Sequence, residues 1–211
     1  MTNKMRHKDL LGFYHDLITG KSWKMLILLR KSYDFILIGG WAVYLYTKAL
    51  KSKDIDIVVG FDGLEKLKHD FEVSKNVRLK KYEARAEEIE IDIYVPFYSS
   101  LGISTEDLKK YETILEGFKL PSKEVLAALK EYALAQRADS PKGRKDLIDV
   151  VSLFSLPDFN WKRYKKIVKE YGLESFAETT GKMIKETTQI GELGLNNHKM
   201  ASLKRKIVPL I

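Results

Sequence analysis

Phe35-Ile36-Leu37-Ile38-Gly39-Gly40 and, after the thirteen residues 41–53, Asp54-Ile55-Asp56-Ile57 decide how this chain is read. The first stretch has the apolar run of a buried strand, broken by a glycine pair. The second alternates carboxylate with isoleucine. In a strand, residues two apart point to one face, so Asp54 and Asp56 project together while Ile55 and Ile57 enter a core. Adjacent anions repel unless a cation lies between them, and a divalent ion that prefers oxygen ligands, Mg²⁺ or Mn²⁺, suits such a pair.

Working outward, Leu10, Leu11, Phe13, Tyr14, Leu17 and Ile18 have helical spacing, Gly20 interrupts it, and a second helical stretch runs through Leu29. Residues 41–50 read as a helix with Trp41, Ala42, Leu45 and Ala49 on one side, and 54–59 as the next strand. Gly60 and Gly63 punctuate a turn before a short helix over 64–71. Strands are expected over 77–82 and 89–95, the second closed by Pro96, and a hairpin over 111–120 turning at Gly117.

Past Pro121 the pattern turns helical. Ser122 is placed to cap a helix over 123–137, and after the loop Asp139-Ser140-Pro141 the spacing predicts helices over 146–154, 160–171, 173–190 and 198–206. The chain is therefore read as α+β, with an α+β domain and N-terminal helices over 1–120 and a C-terminal helical domain over 121–211. There is no internal repeat and no low-complexity tract.

With 211 residues, 45% hydrophobic and 31% charged, the chain can bury a substantial core and is not a disordered one. The absence of cysteine excludes disulfides and thiolate zinc sites and suits an intracellular, cytoplasmic protein. Met25-Leu26-Ile27-Leu28-Leu29 stops at Arg30 and Lys31, far short of the roughly twenty apolar residues of a membrane span. A net charge of +8 and a pI near 9.3 favour an acidic partner, with nucleic acid first among candidates and a merely solvated lysine surface as the alternative.

Strand, Gly-Gly turn, helix and an Asp-x-Asp strand at this distance resemble the signature of the DNA polymerase β-like nucleotidyltransferase superfamily. The matching residues are Ile38-Gly39-Gly40 and Asp54-Ile55-Asp56-Ile57. The resemblance implies a mixed β-sheet flanked by helices, an NTP substrate and a third carboxylate from a neighbouring strand. Glu88-Ile89-Glu90-Ile91-Asp92-Ile93-Tyr94 supplies that carboxylate, with Asp92 preferred and Glu90, on the same strand face, its competitor. In a two-metal reading Asp54 and Asp56 bind both ions, and Asp92 completes the catalytic one and helps deprotonate the attacking hydroxyl. Gly39 and Gly40 let the backbone approach a triphosphate, and the amides that open the next helix favour its oxygens.

Leu126-Ala127-Ala128-Leu129-Lys130 with Arg137, then Arg144-Lys145-Asp146-Leu147-Ile148-Asp149, is similar to the helical continuation in the toxin-type branch of abortive-infection systems. With Ser52-Lys53, the likeness spans about residues 35–155 and implies that Lys53, Lys130 and Lys145 face the triphosphate while Asp146 orients one of them or takes part in the site. Asp146 and Asp149 would equally suit plain ion pairs with Lys142, Lys145 or Arg137. The expected acceptor is RNA, such as a tRNA 3′ end, or a protein, with a partner protein and no membrane. A catalytically silent nucleotide-binding or toxin-neutralising module is the alternative. His7, His15, His69 and His198 show no ligand spacing, and Gly191-Glu192-Leu193-Gly194 is a turn. Lys162, Arg163, Lys165, Lys166 and Lys169 alternate with Trp161, Tyr164 and Tyr171, so the segment could grip RNA, although helix packing accounts better for the aromatics.

Overall fold

The structure, a computed structural model, describes residues 7–211, with side chains described from residue 16 onward. Its first half runs α1 (His7–Ser32), β1 (Ile36–Ile38), α2 (Gly39–Thr47), β2 (Ile55–Val58), α3 (Phe61–Asp70), β3 (Val73–Asn76), β4 (Lys81–Ala86) and β5 (Ile89–Tyr94). A hairpin, β6 (Glu112–Leu115) and β7 (Phe118–Pro121), leads to α4 (Lys123–Gln136), α5 (Pro141–Phe154), α6 (Trp161–Glu170), α7 (Glu174–Glu186) and α8 (Asn197–Ile207). Strands β1 to β5 form one mixed sheet in the order β1-β2-β5-β4-β3, with β2 and β5 parallel and every other pair antiparallel. This is the expected α+β architecture, a mixed sheet flanked by helices and followed by a helical region.

Alternation in the two central strands builds the core. Ile55, Ile57, Ile91 and Ile93 are fully buried, and Ile55 pairs in register with Ile91 and Ile57 with Ile93. Burial of side chains of this size stabilises by roughly 1.5–3 kcal/mol each. One apolar cluster continues from these strands through α4, α5 and α6 by way of Leu126, Val150, Leu153 and Tyr164. Among the described residues no helix is long and apolar enough to cross a membrane.

Five expectations need correction. Gly20 does not break the first helix, because Ile18, Leu26 and Leu29 bury along one side and Ser22 Oγ accepts from Trp41 Nε1 at 2.9 Å. That anchoring outweighs a glycine cost of about 1 kcal/mol. The side chains of Leu10, Leu11, Phe13 and Tyr14 lie outside those described. The strand expected over 77–82 begins only at Lys81, and residues 77–80 are a turn. Asn76 Oδ1 accepts from Leu79 N at 3.0 Å and Lys80 takes φ 49°, so a turn separates β3 from β4 and leaves Val77 exposed.

Helix α3 starts at Phe61, with Gly63 inside it, not in a turn. Helix α5 starts five residues before Asp146, at Pro141, since Ser140 Oγ caps Gly143 N at 3.0 Å and proline suits the first turn. Ser122 occupies the expected capping position of α4, yet its hydroxyl makes no capping bond and is buried without a partner among the described residues.

Candidate active site

Parallel pairing of β2 with β5 sets Asp56 beside Asp92, and antiparallel pairing of β1 with β2 sets Ile38 opposite Asp56. The same alternation that buries the isoleucines turns both aspartates to the other face of the sheet. There, β2, β4, β5, α4 and α5 line a cleft of about 370 Å³. Gly40, Asp54, Asp56, Asp92, Lys130, Lys145 and Asp146 all line it, so residues far apart in sequence converge.

Gly39 adopts φ +66°, and a Cβ there would lie 2.1 Å from Asp56 Oδ2. At Gly40 a Cβ would lie 2.7 Å from Ser52 Oγ and 2.9 Å from Lys145 Nζ. The glycine pair therefore leaves room for a carboxylate on one side and a lysine on the other. Lys53 is not brought to the cleft. Its neighbour Ser52 turns inward at 2% exposure, so Lys53 points to solvent. Glu90, the competitor of Asp92, is exposed and pairs with Arg85 on β4.

The carboxylates are strained electrostatically. Burial raises the pKa of Asp56 and Asp54 adds to it, while Lys130 and Lys145 act against the rise. Asp92 is pushed up to about 6 by burial and then by the charge of Asp56, with Lys81 pulling it down. Burial also raises the Tyr94 hydroxyl, and the charges of Asp56 and Asp92 add to it.

Cations stand close to two of these anions. Lys81 Nζ is 2.6 Å from Asp92 Oδ2 and 3.0 Å from Glu83 Oε1, and Lys142 Nζ is 3.9 Å from Asp54 Oδ2. Among the described residues no group of three His, Cys, Asp or Glu side chains is ready-made to hold a metal ion. Asp54 and Asp56 nevertheless have the chemistry for one hard cation, being oxygen donors at the cleft whose negative charge the local lysines only partly offset.

On the opposite wall, Lys130 is 8% exposed, with Nζ 3.0 Å from Asp146 Oδ1 and 2.7 Å from Asp149 Oδ2. Burial would lower its pKa, but Asp149 and Asp146 outweigh that and keep it raised. Arg137 Nε donates to Asp146 Oδ2 at 2.7 Å. Lys145 differs: its Nζ donates to Ser52 Oγ at 3.0 Å, and burial, then Lys130, lowers its pKa. Lys81 and Tyr94 were not read from the sequence as site residues. Tyr94 could have been, since it lies two residues after Asp92 on the same face, whereas Lys81 reaches the site only through the register of β4 on β5.

No protein-family model and no curated protein matches the sequence. Solved structures do match the fold. The aminoglycoside nucleotidyltransferase ANT(2″)-Ia, solved in complex with adenylyl-2″-tobramycin, superposes with TM-score 0.54 at 12% identity, over 74% of this chain and 98% of that one. JHP933 from Helicobacter pylori superposes with TM-score 0.50 at 14% identity, over 93% of this chain and 90% of that one. At these identities the likeness establishes a shared nucleotidyltransferase-type fold.

Proposed function

We propose that this chain is a divalent-metal-dependent nucleotidyltransferase that moves a nucleoside monophosphate from an NTP to an acceptor hydroxyl. The observation that carries the reading is Asp56 beside Asp92 under the Gly39-Gly40 turn, with Lys145 on the facing wall. A Mg²⁺ or Mn²⁺ ion held by Asp54 and Asp56 would neutralise charge on the triphosphate. Lys145 and the exposed Lys142 are the cations placed to meet the phosphate oxygens, while Lys130 and Asp146 brace the wall behind them.

The acceptor oxygen attacks the α-phosphorus, and the bond from that phosphorus to the β-bridging oxygen breaks. Pyrophosphate leaves with the bonding electron pair. The hydroxyl proton passes to the Asp92 carboxylate and from there to water.

For the acceptor we favour RNA, such as a tRNA 3′ end, over a protein side chain. Lys162, Lys165, Lys166 and Lys169 are exposed on α6 and have no ion pair among the described residues, while Trp161 and Tyr164 turn inward against Phe154 and Phe159. Stacking on those rings is thus not offered, but backbone contact is. Purified protein, Mg²⁺, labelled NTPs and separate RNA and protein fractions test the reading. It expects label in one fraction, lost in an Asp54→Ala, Asp56→Ala double variant, and it fails if the two proteins label equally.

A second reading has its own support. Lys81 on Asp92 and Lys142 near Asp54 offset the carboxylates partly without a metal, as a silent nucleotide-binding module would require. NTP binding with no product from any acceptor would select it. The toxin-type resemblance adds a partner protein, and co-purification of a stable heteromer would select a neutralising role.

A further inference from the structure

Glu83 on β4 stands directly opposite Asp92 on β5, and Asp92 stands beside Asp56 on β2. Like charges placed directly opposite in a sheet are destabilising. Between Glu83 and Asp92 lies one ammonium, Lys81 Nζ, at 3.0 Å and 2.6 Å.

This ammonium is fixed in place. The Lys81 side chain is 11% exposed and that of Asp92 17%, so neither swings freely in water. Glu83 Oε1 also accepts from Asn76 Nδ2 at 3.0 Å, and Asn76 Oδ1 caps the turn that delivers Lys81, through Leu79 N at 3.0 Å. One asparagine thus sets both the turn before the lysine and the glutamate that steers it.

A metal ion joining Asp92 to Asp56 would have to share the Asp92 carboxylate with an ammonium already 2.6 Å away. Two cations on one partly buried carboxylate repel each other. We infer that Lys81 is a positioning residue that supplies a built-in cation at Asp92, so that the site takes one divalent ion per bound nucleotide, on Asp54 and Asp56, and not two. The inference rests on the nucleotidyltransferase reading and departs from the two-ion arrangement that the superfamily resemblance implies. Asp92 is then left to accept the proton of the attacking hydroxyl, held in place by Lys81.

The test counts ions. Full-chain protein is saturated with an NTP analogue carrying a methylene between its α- and β-phosphates, and Mn²⁺ is titrated while free Mn²⁺ is followed by electron paramagnetic resonance. One Mn²⁺ per protein–nucleotide complex is expected for the wild type and for Lys81→Arg, and two for Lys81→Met, which keeps the length of the side chain without its charge. Two ions in the wild type, or one in a folded Lys81→Met protein, overturns the inference and leaves the proposed reaction standing. No protein-bound Mn²⁺ at any nucleotide concentration removes the reaction and the inference together. Should Lys81→Met fail to fold, the wild-type count alone still decides.

Discussion

Two clusters of charge face each other across the cleft. On α4 and α5, Lys130 and Arg137 meet Asp146 and Asp149, two cations for two anions, each within 3.0 Å of a partner. On the sheet side, Asp92 and Glu83 share Lys81 at close range, Asp54 has only Lys142 at 3.9 Å, and Lys145 beside Asp56 is turned to Ser52. The first cluster is balanced in charge, and its charges serve the folded state. The second carries negative charge that burial makes expensive, as the raised pKa of Asp56 and of Asp92 shows, and a bound cation would relieve it.

If that contrast holds, single substitutions should separate activity from stability in opposite directions. Asp56→Asn should cut nucleotide transfer by at least about 10³-fold, since the several kcal/mol of charge stabilisation from a metal would go with it. Its melting temperature should stay level or rise, because a buried anion with poor compensation is removed. Initial rates and thermal melts of the same preparation check both halves. A melting temperature lowered by more than a few degrees would place Asp56 among the structural charges.

Lys130→Met should do the reverse. It strands Asp149, 0% exposed, and leaves Asp146, 1% exposed, with Arg137 alone, and breaking such a buried network costs about 3–5 kcal/mol. Urea unfolding should show the loss, while protein kept folded at low temperature should retain measurable transfer. A stable but inactive Lys130→Met would make Lys130 a phosphate ligand and erase the contrast.

How far each cluster could be read from sequence follows from what holds it. Asp54 and Asp56 are legible because strand alternation couples them to Ile55 and Ile57, and their distance from Gly39-Gly40 fixes strand, turn and helix in order. Asp92 follows from the same alternation once the superfamily resemblance demands a third carboxylate. Lys81 is illegible, because its approach depends on the β4–β5 register, set by a turn at Asn76 that the apolar Val77 and Leu79 disguise as strand. Lys53 fails for a local reason: the side chain that turns inward beside Asp54 is Ser52. In the helical half, the elements follow from periodicity, but which aspartate meets which cation depends on how α5 lies along α4. The pairings with Lys130 therefore differ from those that spacing on one helix suggests.

Glu131, next to Lys130 on α4, offers a milder contrast: a buried acid with no ion pair among the described residues. It is 1% exposed, and burial pushes it up to about 8 from an ordinary 4.5, although the Tyr164 hydroxyl at 2.7 Å and 2.9 Å pulls it down. Protonated, the acid can donate to the Tyr164 oxygen, so the neutral form that burial favours keeps a partner. The folded state then binds a proton that the unfolded chain releases between about 4.5 and 8, and stability falls as pH rises through that window. At up to 1.36 kcal/mol per pH unit, roughly 2 kcal/mol should be lost between pH 6 and pH 8. Urea titrations at the two values check this, and Glu131→Gln, which stays neutral, should flatten the difference. An equal loss in Glu131→Gln would assign the pH dependence elsewhere.

The smallest effect concerns charge that neither cluster contains. Lys162, Lys165, Lys166 and Lys169 lie at helical spacings of three and four on α6, so each repels its neighbours along one exposed stripe. The stripe lies on a helix whose inner face meets α4 through Tyr164 and Glu131, away from the cleft wall that Lys130 and Arg137 form. Replacing all four lysines with glutamine should therefore leave NTP binding unchanged and raise stability by a few tenths of a kcal/mol. RNA binding should weaken about tenfold at physiological salt, with the slope of log affinity against log salt reduced by up to about 3, or roughly 0.7 for each lost phosphate contact. Filter binding across a salt series measures that slope. An unchanged slope would make the stripe a solvated face and turn the acceptor question back to proteins and small molecules, whereas a reduced slope with intact NTP binding would show that the acceptor is gripped apart from the charges that hold the nucleotide.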